Sequence, residues 1–165
     1  MSDACHFSGV GPLNNYLEVF MYKIGFEAKI FYGAAGAKAS TVLKHVADSV
    51  SLNIEKGSAE VAVRSSGWKK VLSGLKDASV EFTLAGDTSD AGFQAIQNAF
   101  FNDTAIALFI ADAETGGVGL DADFEVISFN RTEGLEEVIN YAVNVKPSGK
   151  STREPSWEGG AGGGE

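Results

Sequence analysis

Apolar and polar side chains alternate along most of the chain. Phe26, Ala28, Ile30 and Tyr32 fall on one side of an extended backbone, with Glu27 and Lys29 on the other. A period of two predicts a strand with one face buried. Gly33-Ala34-Ala35-Gly36 breaks the pattern. Val50, Leu52 and Ile54 then oppose Ser49, Ser51, Asn53 and Glu55. Lys56-Gly57-Ser58 predicts a turn, and Val61 and Val63 open another short run. The cleanest alternation sets Ala78, Val80, Phe82 and Leu84 against Asp77, Ser79, Glu81 and Thr83. Ala105 to Ile110 is a short apolar run. Leu120, Ala122, Phe124 and Val126 oppose Asp121, Asp123 and Glu125, and Ile139, Tyr141, Val143 and Val145 oppose Asn140, Ala142, Asn144 and Lys146. One segment has helical spacing instead. Phe93, Ile96, Gln97 and Phe100 recur at i, i+3, i+4 and i+7, preceded by Asp87, Ser89 and Asp90 as N-capping candidates. This predicts a helix over 89–102, ended by Asn102-Asp103.

These patterns predict a mainly β protein with about seven strands and one α-helix. Alternating faces favour antiparallel pairing, because buried parallel strands read as continuous apolar runs. The expected architecture is an antiparallel β-sandwich or barrel with the helix over one end or face. The 165 residues, 44% of them hydrophobic, suit one domain. That domain is expected over 22–146, with an N-terminal arm or extension at 1–21 and a flexible C-terminal arm at 147–165. The closing Gly-Gly-Ala-Gly-Gly-Gly-Glu carries no apolar surface to bury.

Charge changes the picture. The net charge is −9, with 13 basic and 22 acidic residues, which disfavours tight binding of DNA or RNA. Residues 77–137 hold thirteen acids and a single base, Arg131. Residues 56–76 run the other way, with five bases and one acid, Glu60, and are expected to form an extended loop. The lone cysteine, Cys5, excludes an intrachain disulfide. No apolar run has the length of a signal peptide or a membrane span.

Familiar chemical motifs fail on their neighbours. Gly149-Lys150-Ser151 imitates the end of a phosphate loop, but Asn144 stands where its first glycine belongs and Pro155 opposes the required helix. Gly116-Gly117-Val118-Gly119-Leu120-Asp121, with Asp112, Glu114 and Asp123 nearby, resembles one calcium-binding β-roll repeat. Such repeats need stacked copies, and this one is single. His6 and His45 lack partners at zinc-ligand spacing. No nucleophile or acid–base constellation is present, so the expectation is no enzyme, cofactor or resident metal.

Several segments stand in a fixed order and spacing: Ile24-Gly25-Phe26-Glu27-Ala28-Lys29 with Phe31-Tyr32-Gly33, and Val50 to Val63 followed by Ser66-Gly67-Trp68-Lys69. Then come Leu75-Lys76-Asp77-Ala78-Ser79-Val80-Glu81-Phe82, the helix entered from Asp87, and Gly119-Leu120-Asp121-Ala122-Asp123-Phe124. Asn130-Arg131, Leu135-Glu136, Pro147 and Pro155-Ser156-Trp157 complete the set. Together they resemble the major tail tube protein family of long-tailed, siphophage-type bacteriophages. Residues 1–20 depart from the pattern. The resemblance implies a structural virion protein, made in the bacterial host cytoplasm and placed in the tail. Hexameric rings stack into a tube through which genomic DNA is ejected without specific binding. The implied partners are further copies of the chain, the tape measure, tail tip and tail terminator proteins, and no membrane. Alternatives are the inner tube of a contractile tail, a gene transfer particle or a type VI-like secretion apparatus. A calcium-dependent binding domain using residues 112–123 is an alternative of another class.

Electrostatics names the residues to examine. A conduit for DNA is served by acids, which repel phosphate. The polar strand faces Ser79-Glu81-Thr83 and Asp121-Asp123-Glu125 are therefore candidates for lining a lumen, with an outer solvent-facing sheet as the plain alternative. In the basic segment, Arg64, Lys69, Lys70 and Lys76 are candidates for ring-to-ring contact. Trp68 is either an anchor there or an ordinary core aromatic.

Overall fold

The computed structural model describes residues 25–62 and 67–159. A single 3-10 turn, Gly25–Glu27, leads into β1 (Lys29–Ala34) and the two-residue β2 (Thr41–Val42). Two long strands follow, β3 (Val46–Val61) and β4 (Lys70–Ala85). Helix α1 (Ala91–Phe101) connects β4 to β5 (Ile106–Ala111). The chain ends in β6 (Gly119–Thr132), β7 (Asn140–Pro147) and the short β8 (Ser156–Glu158). All strands belong to one antiparallel sheet in the order β2-β1-β5-β6-β7-β4-β3, with β8 beside β6.

The sheet curls. Ile30 on β1 and Val80, Phe82 and Leu84 on β4 have three strands between them in the order, yet share one buried cluster with Leu108, Phe124, Val143 and Val145. Helix α1 closes this core with Phe93, Ile96 and Ala99, and Phe93 meets the Tyr141 ring edge-on at 4.8 Å. Gly92 permits the close approach, since a side-chain carbon there would stand 2.6 Å from Leu43 Cδ1. The helix starts at Asp90, whose Oδ2 accepts from the backbone N–H groups of Gly92 (3.0 Å) and Phe93 (3.1 Å). An aspartate in that position satisfies donors that no helical carbonyl reaches.

Three sequence expectations need correction. The turn predicted at Lys56-Gly57-Ser58 is continuous strand in β3, at a register shift where Gly57 faces two residues, Gly74 and Leu75, of a bulged β4. The segment 56–76 is accordingly strand for most of its length and not an extended loop. The C-terminal segment is fixed as far as β8, because residues 148–158 find side-chain partners on the sheet. The N-terminal arm and the glycine-rich end lie outside the described residues.

Truncating Phe124, 0% exposed in the core, is expected to cost about 3–5 kcal/mol as Phe124→Ala. Asp90→Ala, which removes only the cap, is expected to cost about 1 kcal/mol. Urea unfolding midpoints measure both. Equal losses for the two would contradict this division between core and cap.

Candidate functional site

Strands β3, β4, β7 and β6 present one polar face. Register places Ser51 opposite Glu81 and Asn53 opposite Ser79, then Glu81 opposite Asn144, and Glu125 opposite Lys146. Ser79, Glu81, Thr83 and Glu125 thus share a surface whose other side is the buried core. Most side chains on it are small or neutral. Its charges are partly paired: Lys146 Nζ lies 3.1 Å from Asp77 Oδ2, and Lys150 Nζ 2.7 Å from Glu125 Oε1. The contact with Glu125 holds the Lys150 ammonium above the ordinary lysine range. Asn144 Nδ2 donates to Glu81 Oε1 at 2.6 Å.

This face is open at both sides. Among the described residues β3 pairs only with β4, so its outer edge carries backbone groups that no described strand meets. β6 pairs with β5 only over Gly119–Phe124. From Glu125 to Thr132 it has β7 on one side and no strand on the other, among the described residues. Exposed edges of this length invite pairing with another chain.

Asp121 and Asp123 stand elsewhere. They project to the same side of β6 as Glu125, but with exposures of 0% and 2% they present no charge to solvent. The expectation that Asp121, Asp123 and Glu125 form one solvent-facing acidic stripe is corrected on this point. The cover is the excursion between β7 and β8, a strap over residues 148–155. Arg153 Nη2 donates to Asp121 Oδ2, and Arg153 Nη1 lies 3.4 Å from Asp123 Oδ1. Asp123 Oδ2 also accepts from Ser151 Oγ (2.5 Å) and the Gly36 backbone N–H (2.8 Å). Burial pushes the Asp121 carboxyl above the ordinary carboxylate range, and Arg153 opposes that rise. Lys38 joins the rim through Glu158 at 2.6 Å and sits 4.9 Å over the Phe109 ring.

The candidate basic segment is a ribbon. β4 loses β7 beyond Val80, and β3 and β4 continue as a two-stranded hairpin. From Asn53 to Ala62 and from Gly67 to Asp77 every described residue is exposed. The eight residues Lys70–Asp77 alone extend roughly 25 Å at the usual strand rise. Trp68 is 83% exposed and therefore not a core aromatic; Leu75 is 91% and Leu72 59% exposed. Lys69, Lys70 and Lys76 lie on this ribbon, and Lys69 Nζ is 3.3 Å from Glu60 Oε2. Arg64 lies outside the described residues.

The remaining candidates are structural. Asp112 Oδ1 accepts from the Val118 backbone N–H at 2.7 Å and braces the 112–118 turn, while Asp121 faces Arg153 instead. Among the described residues no group of three or more His, Cys, Asp or Glu side chains converges as a metal site. His45 occupies a left-handed turn (φ 59°) with Nε2 3.7 Å from Asp87 Oδ2. Lys150 and Ser151 of the false phosphate loop serve the strap. No helix among the described residues is long and apolar enough to cross a membrane. Sequence reasoning missed Arg153, Ser151 and Lys150. The available signal was charge: Lys146, Lys150 and Arg153 each pair with an acid from the acidic middle of the chain.

No protein-family model and no curated protein sequence matches the chain. Solved structures do. The tail of an empty gene transfer agent particle, refined with C6 symmetry, matches with TM-score 0.66 at 15% identity, over 83% of this chain and 99% of that one. The SPP1 tail tube matches with TM-score 0.63 at 18% identity, over 84% and 80%. The sheath–tube complex of an extracellular contractile injection system (PVC) matches with TM-score 0.58 at 10% identity, over 86% and 94%. At these identities the likeness establishes the fold, which is the one seen in tail tubes.

Removing the strap cation tests the buried network. Arg153→Ala leaves Asp121 and Asp123 buried without their cation, at an expected cost of about 3 kcal/mol near neutral pH. The Asp121 pKa is already raised in the folded protein, so protonation favours folding and ionisation disfavours it. Without Arg153 that penalty grows. The loss should therefore shrink as pH falls toward the ordinary carboxylate range, where the neutral acid needs no cation. Urea unfolding of both proteins at neutral and mildly acid pH measures this. A loss independent of pH would refute the electrostatic account.

Proposed function

We propose that the chain is the structural subunit of a tail tube, in which copies join into rings and rings stack into a conduit for DNA. The observation that carries this reading is the polar face β3-β4-β7-β6, sealed by core behind and, among the described residues, left with an unpaired strand edge on each side. Pairing the β3 edge of one copy with the Glu125–Thr132 edge of β6 in the next continues the sheet. Such a contact is heterologous, and repeated with the right rotation it closes a ring without free edges. The C6 symmetry of the gene transfer agent tail sets the expected copy number at six per ring.

In this arrangement Ser79, Glu81, Thr83 and Glu125 line the lumen. The lysines on this face, Lys146 and Lys150, are each paired with an acid, and the other groups are small and neutral or acidic, so DNA finds little cationic charge to hold it. The repulsion comes from Glu55, Asp77, Glu81 and Glu125 on the face itself, not from the whole acidic stretch. The chain acts by shape, without catalysis. Tape measure, tail tip and terminator proteins are its expected neighbours in the particle. The fold also occurs in contractile systems, and a shared fold does not separate a free tube from a sheathed one.

Negative-stain microscopy of concentrated protein is expected to show rings or tubes. Labelling then tests which face points inward. With Cys5 replaced by Ser, Thr83→Cys is expected to react with a bulky polymer maleimide when unassembled and to be protected in tubes. Asn98→Cys, on the exposed side of α1, should react in both states. The reverse pattern would place the polar face outside and overturn this reading of the lumen.

A further inference from the structure

The curled sheet leaves a seam. β2 and β3 are the two ends of the strand order, and among the described residues no strand joins them. A cavity of about 880 Å³ opens there, lined mainly by residues of β1, β2 and β3. Ile30 and Leu43, 2% and 3% exposed, belong both to its lining and to the core. Val46, Val50, Leu52 and Ile110 also line it, and they pack against the core cluster while remaining only half-buried. Trp157 of β8 stands beside them, 62% exposed. An apolar hollow of this kind, open to water, leaves the core unsealed on one side.

The path of the chain narrows what can fill it. Gly25 lines the cavity, so residues 1–24 join the described structure at its mouth. The stretch Tyr16-Leu17-Glu18-Val19-Phe20-Met21-Tyr22-Lys23-Ile24 is apolar or aromatic at seven of its nine positions. A run of this composition gains by leaving water, unlike the glycine-rich end of the chain. Charge fits as well. Residues 1–24 carry two acids, Asp3 and Glu18, and one lysine, Lys23, while the cavity lining carries Lys29 and Lys44 against Asp112.

We propose that residues 16–22 fill this cavity in their own copy of the chain. Leu17, Val19 and Met21 share one side of an extended backbone and lie against Val46, Val50 and Leu52, with Glu18 at the rim beside Lys44. The occupant is the chain's own segment because its tether is short. A segment joined next to its site acts at an effective concentration on the order of mM, which a second copy matches only at that protein concentration. The core is then completed within one copy, and this contact holds whether or not rings form.

Maleimide labelling of dilute, unassembled protein tests the contact. In a Cys5→Ser background, Val50→Cys is expected to react at least about tenfold more slowly than Asn98→Cys on the exposed side of α1. Adding Leu17→Ser, Val19→Ser and Met21→Ser should speed the Val50→Cys reaction at least about tenfold and leave Asn98→Cys unchanged. The protection should not vary with protein concentration. A second measurement keeps the apolar run intact. With Trp68→Phe, Trp157 is the sole tryptophan, and a nitroxide on Glu18→Cys should quench its emission relative to the reduced, diamagnetic label. Equal Val50→Cys rates with and without the three serines overturn the proposal, since slow in both means another occupant and fast in both an empty cavity. Protection that rises with protein concentration assigns the cavity to a second copy and overturns it too. If circular dichroism shows the triple-serine variant unfolded, the nitroxide decides, and absent quenching overturns the proposal.

Discussion

A buried carboxylate demands a cation, and in this chain the demand is met from a distance. Asp121 and Asp123 lie sealed on β6 with Arg153 between them. Two such charges left without a partner would cost several kcal/mol. The requirement fixes the path of the chain after Pro147. Strand β7 cannot simply continue alongside β4, because residues 148–155 cross over the acids before β8 rejoins β6. Without β7 as neighbour, the far halves of β3 and β4 stand alone as the exposed ribbon. The strap that settles one internal electrostatic problem thereby leaves the ribbon without a third strand.

The same network disposes of much of the acidic charge. Its cations come from the last segment, where Lys146, Lys150 and Arg153 reach Asp77, Glu125 and Asp121. The Asp90 carboxylate caps α1, and Asp112 braces a turn. What remains for the polar face is a short list of acids, two of them paired with Lys146 and Lys150, among serines, threonines and asparagines. In the proposed tube such a face needs no strong field to avoid holding DNA; it needs only to lack free cations that replace phosphate counterions. The exposed acids of the turn joining β6 to β7, residues 133–139, lie at the end of the sheet opposite the ribbon and belong to a different surface.

What the sequence disclosed follows the range of the physics involved. Helix α1 was legible because its signals are local: Phe93, Ile96 and Phe100 at helical spacing behind the Asp90 cap. The alternation of Ala78, Val80, Phe82 and Leu84 was legible because one face of β4 is buried there. Below Asp77 the alternation ends, although the strand does not, since both faces are in water and nothing selects a period. That is why a ribbon read as an extended loop. The acids of β6 misled for the opposite reason. Alternation assigns every polar residue to solvent, and the partner that buries Asp121 lies 32 residues away, in a segment whose glycine-rich end suggests an unpacked arm.

Two kinds of exposed backbone remain, and they call for different partners. The lateral edges of the polar face offer hydrogen bonds with little side-chain selectivity, so they suit a contact made many times around a ring, where closure removes the edge. The ribbon and the 133–139 turn offer side chains instead: an aromatic, leucines, lysines and glutamates at opposite ends of the molecule. Such contacts select register and polarity, which backbone pairing does poorly. In the proposed tube, subunits within a ring are interchangeable while successive rings all point the same way, and the two kinds of surface suit those two demands. In this chain the division follows from where β7 stops: above that level the sheet is a free arm, and below it a wall.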